Sequence, residues 1–247
     1  VISKGLWRDV KVCHHLHEQW AREGKTGVLF ILTSAGGVRR PQDVYAMEQS
    51  YGWPRDHREG FPDLVGPESD LWRMIEPYNR EHPNLPIVLV NQFGWSRDRI
   101  GKRLPAEMHI GDFRTATDAE FGMATYEPFG ISPLEPLGTG AVCVISNVCG
   151  CENFVQSVTA RRGCTNVLTA DFTKIDGGRG IEALKAIGRT ERDAIEDRES
   201  RRIALELHRR LPSDDAGRKA LLDAGQKLVA QMGWDQVIAS GLVPLLE

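Results

Sequence analysis

Apolar positions along the chain follow two rhythms. Behind Asp9, which can cap a helix, Cys13, Leu16 and Trp20 recur at helical spacing until Gly24 offers a stop. Five other runs are short, continuous and aliphatic or β-branched: "GVLFILTS" (27–34), "LPIVLVNQFGW" (85–95), "DAEFGMAT" (118–125), "AVCVIS" (141–146) and "TNVLTA" (165–170). Such runs predict strands buried on both faces. The opening "VIS" reads as one more strand, followed at once by a Lys4-Gly5 turn. A short helix is expected from Pro41, a long ordered loop anchored by Trp53, Phe61 and Val65 after it, and another helix near 70–80. Strands alternating with helices predict an α/β fold, a parallel sheet with helices on both faces.

The last stretch is helical in pattern, from "GIEALKAIGR" (180–189) through "AGRKALLDAGQKLVAQ" (216–231) to "WDQVIASGLVPLL" (234–246). Within it, "RTERDAIEDRESRR" (189–202) is expected to be a solvated helix face or a hinge. These patterns predict one domain over 1–247, with an α/β core at 1–180, a loop insertion near 51–70 and a helical tail at 181–247. The chain starts without Met and inside an apolar run, so it reads as a piece of something longer.

Composition narrows the chemistry. With 41% hydrophobic and 26% charged residues the chain is ordinary soluble material, and no apolar run reaches the roughly 18 residues of a membrane span. A net charge of −3 and a pI near 6.2 give no general attraction to nucleic acid or anionic lipid, so anion binding requires a local site. Five cysteines, an odd number in a chain too large to need staples, favour reduced thiols and a cytoplasmic location.

The stretch "TYEPFGISPLEPLGTG" (125–140) carries the most chemistry. In an open parallel sheet, ligands sit beyond the carboxyl ends of the strands, where loops lead into helices. Ser132, Pro133 and Glu135 match a capping box: Ser as N-cap, Pro in the first turn, Glu three residues on. Glu135 has a structural explanation in that pattern, but Glu127 lies before the helix, and Gly130 allows close backbone approach to a ligand. Helix-terminal amides attract phosphate, and flanking carboxylates suit vicinal hydroxyls. Phosphate in the middle with diols on both sides describes a sugar nucleotide.

"YEPFGISPLEPLGTGAVCVISNVCG" resembles the Glu-x7-Glu segment of the retaining GT-B glycosyltransferases, the group that contains glycogen and starch synthases. Glu127 and Glu135 match its two acidic positions, and Ser146, Asn147 and Gly150 match the exit of the following strand. Weaker similarity extends through "VISKGLWRD", "DFRTATDAEFGMATYEPFG" and "GWDQVIASGL", and covers most of the chain apart from 51–70. The resemblance implies the Rossmann-like C-terminal domain of such an enzyme, which binds a nucleoside diphosphate sugar. It implies that Glu127 contacts the transferred sugar and Glu135 the ribose, and that Phe129, Gly130, Ile131 and Ser132 line the sugar and phosphate. Lys4 and Arg8 would clamp the diphosphate, with Lys where Arg is customary, and Phe93 would stack on the base or serve the core. A saccharide or other acceptor belongs to an N-terminal domain outside this chain, so the piece alone is expected to be inactive.

Neither a cofactor nor a metal is expected. His14, His15 and His17 lack a carboxylate pattern around them, Cys149-Gly-Cys151 supplies two ligands where a site needs more, and no Asp-x-Asp occurs. A metal-independent hexosyl transfer from a nucleoside diphosphate sugar, with glucose as the sugar, is the function expected; the alternative is an inactive binding or interaction module on the same fold.

Overall fold

The computed structural model describes residues 3–175 and 180–245, and the opening "VI" of the expected first strand lies outside them. Contacts divide the chain into two compact units, Val1–Phe113 and Arg114–Glu247. Each is described by itself.

In the first unit the order is α1 (Leu6–Glu23), β1 (Leu29–Leu32), α2 (Pro41–Tyr51), α3 (Pro67–Glu81) and β2 (Ile87–Val90), followed by the short α4 (Arg97–Ile100) and α5 (Ile110–Thr115). β1 and β2 pair in parallel, Leu29 opposite Ile87 through Leu32 opposite Val90. α1 buries Val12, Cys13 and Leu16 and stops at Gly24, whose left-handed backbone suits glycine. Asp9 does not cap it. The cap position is Gly5, and Asp9 lies inside the first turn, where a negative charge still suits the helix dipole. β1 also departs from expectation, because Ile31 is buried while Phe30 and Leu32 are exposed on alternate positions. Of the anchors expected in the 52–66 loop, Trp53 is fully buried and Val65 is half-buried, but Phe61 faces solvent; Leu64 fills the core in its place.

The second unit contains β3 (Ala119–Gly122), a 3-10 helix (Ser132–Thr139), β4 (Val142–Ser146), α6 (Gly150–Val158), β5 (Val167–Ala170), α7 (Ile181–Lys185), α8 (Arg189–Arg210), α9 (Asp215–Met232) and α10 (Trp234–Val237). β4 lies between β3 and β5, parallel to both, and every residue of it is buried. The chain is thus α/β with parallel strands and helices, in a two-stranded and a three-stranded sheet. Leu134, Leu137, Cys143, Ile145 and Val155 pack with Leu228 of α9 into one core.

The 189–202 run is neither a hinge nor wholly solvated. It belongs to a single 22-residue helix whose inner stripe carries Glu196, Glu199 and Ser200 beside Ile195, Ile203 and Leu207. Glu199 is engaged there: it accepts the Asp171 amide at 2.7 Å and pairs with Arg202 at 2.5 Å. No helix among the described residues is long and apolar enough to cross a membrane.

Candidate functional site

The 3-10 helix that bears Glu135 is held on both sides by missing side chains. A Cβ on Gly122 of β3 would fall 2.2 Å from Pro133, and one on Gly225 of α9 would fall 2.0 Å from the Leu137 carbonyl. Both glycines therefore admit a contact that any other residue would block. Gly140, in the left-handed region at φ 90°, ends the helix and returns its amide to Leu137 and Pro136.

The expected capping box is absent. Ile131 already has helical angles (φ −67°, ψ −48°), so Ser132 is not at the extended boundary position a cap needs, and no side chain caps this end. Pro133 and Pro136 each remove an amide donor from the short helix. Glu135 turns outward instead, with its Oε2 2.5 Å from the Arg114 guanidinium. Glu120 of β3 belongs to the same electrostatic group. Burial pushes its carboxyl above the usual range, Arg114 draws it back, and Glu135 adds to the rise.

Glu127 sits in the loop between β3 and that helix, half-buried, in a parallel bridge with Cys149. Two backbone bonds fasten this loop to the start of α6: the Gly150 amide donates to the Glu127 carbonyl at 3.3 Å and the Cys151 amide to the Phe129 carbonyl at 2.7 Å. Gly150 is required for this approach, since a Cβ there would lie 2.2 Å from the Pro128 carbonyl oxygen. Two amides at the α6 start are thereby used inside the fold. The next amides along the loop differ: among the described residues, none accepts a hydrogen bond from Gly130, Ile131 or Ser132. Gly130 has φ 87°, and a Cβ on it would crowd the Glu127 Cγ at 3.1 Å. Around these amides Tyr126, Phe129 and Ile131 are exposed.

The second unit thus brings together Glu127, Phe129, Gly130, Ile131, Ser132 and Glu135, six of the nine residues expected to form a site. The other three belong to the first unit. Lys4 is exposed in the turn before α1, Arg8 is buried in the first turn of α1 with its guanidinium 5.5 Å from the centre of the Trp7 ring, and Phe93 is exposed three residues after β2. Sequence reasoning passed over Arg114, because its tie to Glu135 spans 21 positions and no local pattern marks it.

Among the described residues no three His, Cys, Asp or Glu side chains are grouped to hold a metal. The His-His-Leu-His segment packs on the end of α3: His14 Nδ1 is 3.2 Å from His82 Nε2, and the His17 ring stacks on His82 with centroids 3.8 Å apart. None of the five cysteines is joined in a disulfide. Burial first, then Cys149, pushes Cys151 up to about 12, and burial lifts Cys143 further, so neither is a thiolate at neutral pH.

No family model matches the chain, and no curated protein matches it. Among solved structures it is similar to Anabaena Alr3699/HepE, crystallised with UDP and with UDP-glucose, at 14% and 12% identity and TM-scores of 0.30 and 0.29. The matches cover 90% and 89% of this chain but 54% and 52% of those, so the chain spans about half the length of the structures it matches. At that level the likeness carries no argument about ligand or activity. The site is therefore defined by its own geometry: two glutamates on either side, along the chain, of loop amides that meet no acceptor among the described residues, in a loop fastened to a helix start by glycine-dependent contacts.

Proposed function

We propose that the chain is the donor-binding part of a retaining GT-B glycosyltransferase and binds a nucleoside diphosphate sugar, with glucose as the transferred sugar and no metal ion. The carrying observation is the arrangement of Glu127 and Glu135 on either side of the Gly130, Ile131 and Ser132 amides. Amides that have no acceptor among the described residues can donate to a phosphate or a sugar hydroxyl, and each carboxylate can accept from hydroxyls. In this reading Glu127 orients the sugar at the reacting carbon, Glu135 takes the ribose, and amides stabilise charge as it develops on the departing diphosphate. Lys4 and Arg8 keep the role of diphosphate cations from the family resemblance alone. Acceptor binding falls to a domain outside this chain, so donor binding and not turnover is the activity to measure.

Calorimetric titration with UDP-, ADP- and GDP-glucose in the presence of a chelator tests the proposal. Saturable binding of at least one donor with chelator present is expected. Binding that disappears with chelator would overturn the metal-free reading, and no binding of any donor would overturn the function.

A further inference from the structure

We propose that Arg114 is a positioning residue that holds the Glu135 carboxylate ready for a ribose hydroxyl; the inference rests on the nucleotide-sugar reading of the site. Three observations carry it. First, Glu135 is not consumed as a helix cap, since no side chain caps the 3-10 helix. Second, its Oε2 is 2.5 Å from the Arg114 guanidinium, while its side chain is 42% exposed. The carboxylate is anchored at one oxygen and still reachable from solvent, which is the arrangement of an acceptor held in place. Third, Arg114 is itself tied to the helix it serves. Its carbonyl accepts from Thr139 Oγ1 at 3.3 Å, and Thr139 also donates to the Pro136 carbonyl at 2.9 Å.

The charge arrangement supports the same role. Glu120 and Glu135 act on each other repulsively, and Arg114 is the cation that offsets both. Without it a loose Glu135 side chain has several rotamers to choose from and a like charge nearby, so each hydrogen bond to a ligand must first order the side chain. An ion pair this exposed contributes little to folding. A stability measurement therefore cannot reveal the role, whereas the recognition of one hydroxyl can.

The test compares UDP, ADP and GDP with their 2′-deoxy counterparts, by calorimetry on the full chain and on Arg114→Gln, Arg114→Lys and Glu135→Gln. The wild-type chain is expected to prefer the ribose form of its diphosphate about ten- to a hundredfold, the range of one hydrogen bond to a charged group. Arg114→Gln should reduce that preference to within about threefold, Arg114→Lys should restore part of it, and Arg114→Gln combined with Glu135→Gln should discriminate no worse than Glu135→Gln alone. A preference that survives Arg114→Gln in a chain whose wild type binds and discriminates would overturn the inference and leave the proposed function standing. Loss in Arg114→Gln but not in Glu135→Gln would also overturn it, because Arg114 would not then act through Glu135. A wild type that binds none of the six nucleotides overturns both readings together.

Discussion

Two loops in this molecule, one after the helix α2 and one after the strand β3, use their polar groups in opposite ways. The 52–66 loop of the first unit is fastened by buried charge. Arg39 pairs with Glu68 at 2.6 Å with both side chains almost fully buried, and Glu68 also accepts the Ala35 amide at 2.7 Å. Asn91 donates to Asp63 and Glu68 and accepts from Trp53, while His57 meets Asp63 at 2.8 Å on one nitrogen and the Leu89 carbonyl at 2.8 Å on the other. The 123–131 loop of the second unit is instead fastened by two backbone bonds at its base, with Tyr126, Phe129 and Ile131 exposed. A region whose polar groups all answer one another is closed to ligands; one fixed at the base and open at the tip can bind.

The contrast can be broken from either side. The largest effect should come from Glu68→Gln, which leaves the Arg39 charge buried without its partner and is expected to lower stability by about 3 to 5 kcal/mol. Tryptophan fluorescence in urea reads it directly, since five of the six tryptophans precede residue 114. The loop between Glu127 and Glu135 is not built on that network, so the proposed donor binding should persist in the variant, and a titration at low urea checks it.

Gly150→Ala comes next, with an expected loss of about 1 to 3 kcal/mol because its Cβ would strike the Pro128 carbonyl, which is backbone and must move. Here binding should fail together with stability. Thermal unfolding by circular dichroism and titration with the donor found for the wild type measure the two losses, and an undisturbed affinity would show that the loop's fastening does not matter for the site.

Acid should reveal smaller effects in the first unit. Burial, then His17, hold His82 below the usual imidazole range, so its contribution is complete above the unfolded value of about 6.5 and is lost as pH falls through the folded one. Burial alone would raise Asp63, but the His57 hydrogen bond and charge draw it below the usual carboxylate range. Its contribution is complete above about 3.9 and is lost below that. Urea midpoints taken by fluorescence from pH 8 to 3 should therefore hold steady, decline below about 6.5, and decline again below about 4. His82→Leu should remove the first decline only.

Glu127→Gln should have the least effect on folding, about 1 kcal/mol or less by thermal unfolding, because Gln keeps the side-chain volume. Its effect belongs to the sugar: affinity for the nucleoside diphosphate glucose should drop about tenfold while that for the bare diphosphate stays level. Equal losses for both ligands would place Glu127 away from the sugar.

The strands were legible because burial leaves a simple trace. All five runs from "GVLFILTS" to "TNVLTA" contain a strand, and β4, flanked on both sides, matches its unbroken apolar text. The acidic spacing around Phe129-Gly130 is local too, and its role rests on the proposal above. What escaped depends on partners far along the chain or on backbone angles that composition does not set. Ser132 has the chemistry of a cap but sits one residue inside the helix, and Asp9 four residues past its cap. Phe61 is apolar yet exposed, since neighbouring Leu64 already fills the interior. Glu196 and Glu199 look like solvent residues until helical phase turns them inward. The Arg39 and Arg114 pairs, 29 and 21 positions long, leave no local pattern at all.

The thiols in the core give the chain a practical handle. Cys13, Cys143, Cys149 and Cys151 are buried, and only Cys164 reaches partway to solvent. An alkylating dye needs both access and thiolate, so at neutral pH it should mark Cys164 first and leave the other four until the fold opens. The number of dyes attached per chain then serves as a clock for unfolding, and a fluorophore on Cys164 alone, just before β5, can report on the second unit, where the sequence supplies a single tryptophan, Trp234.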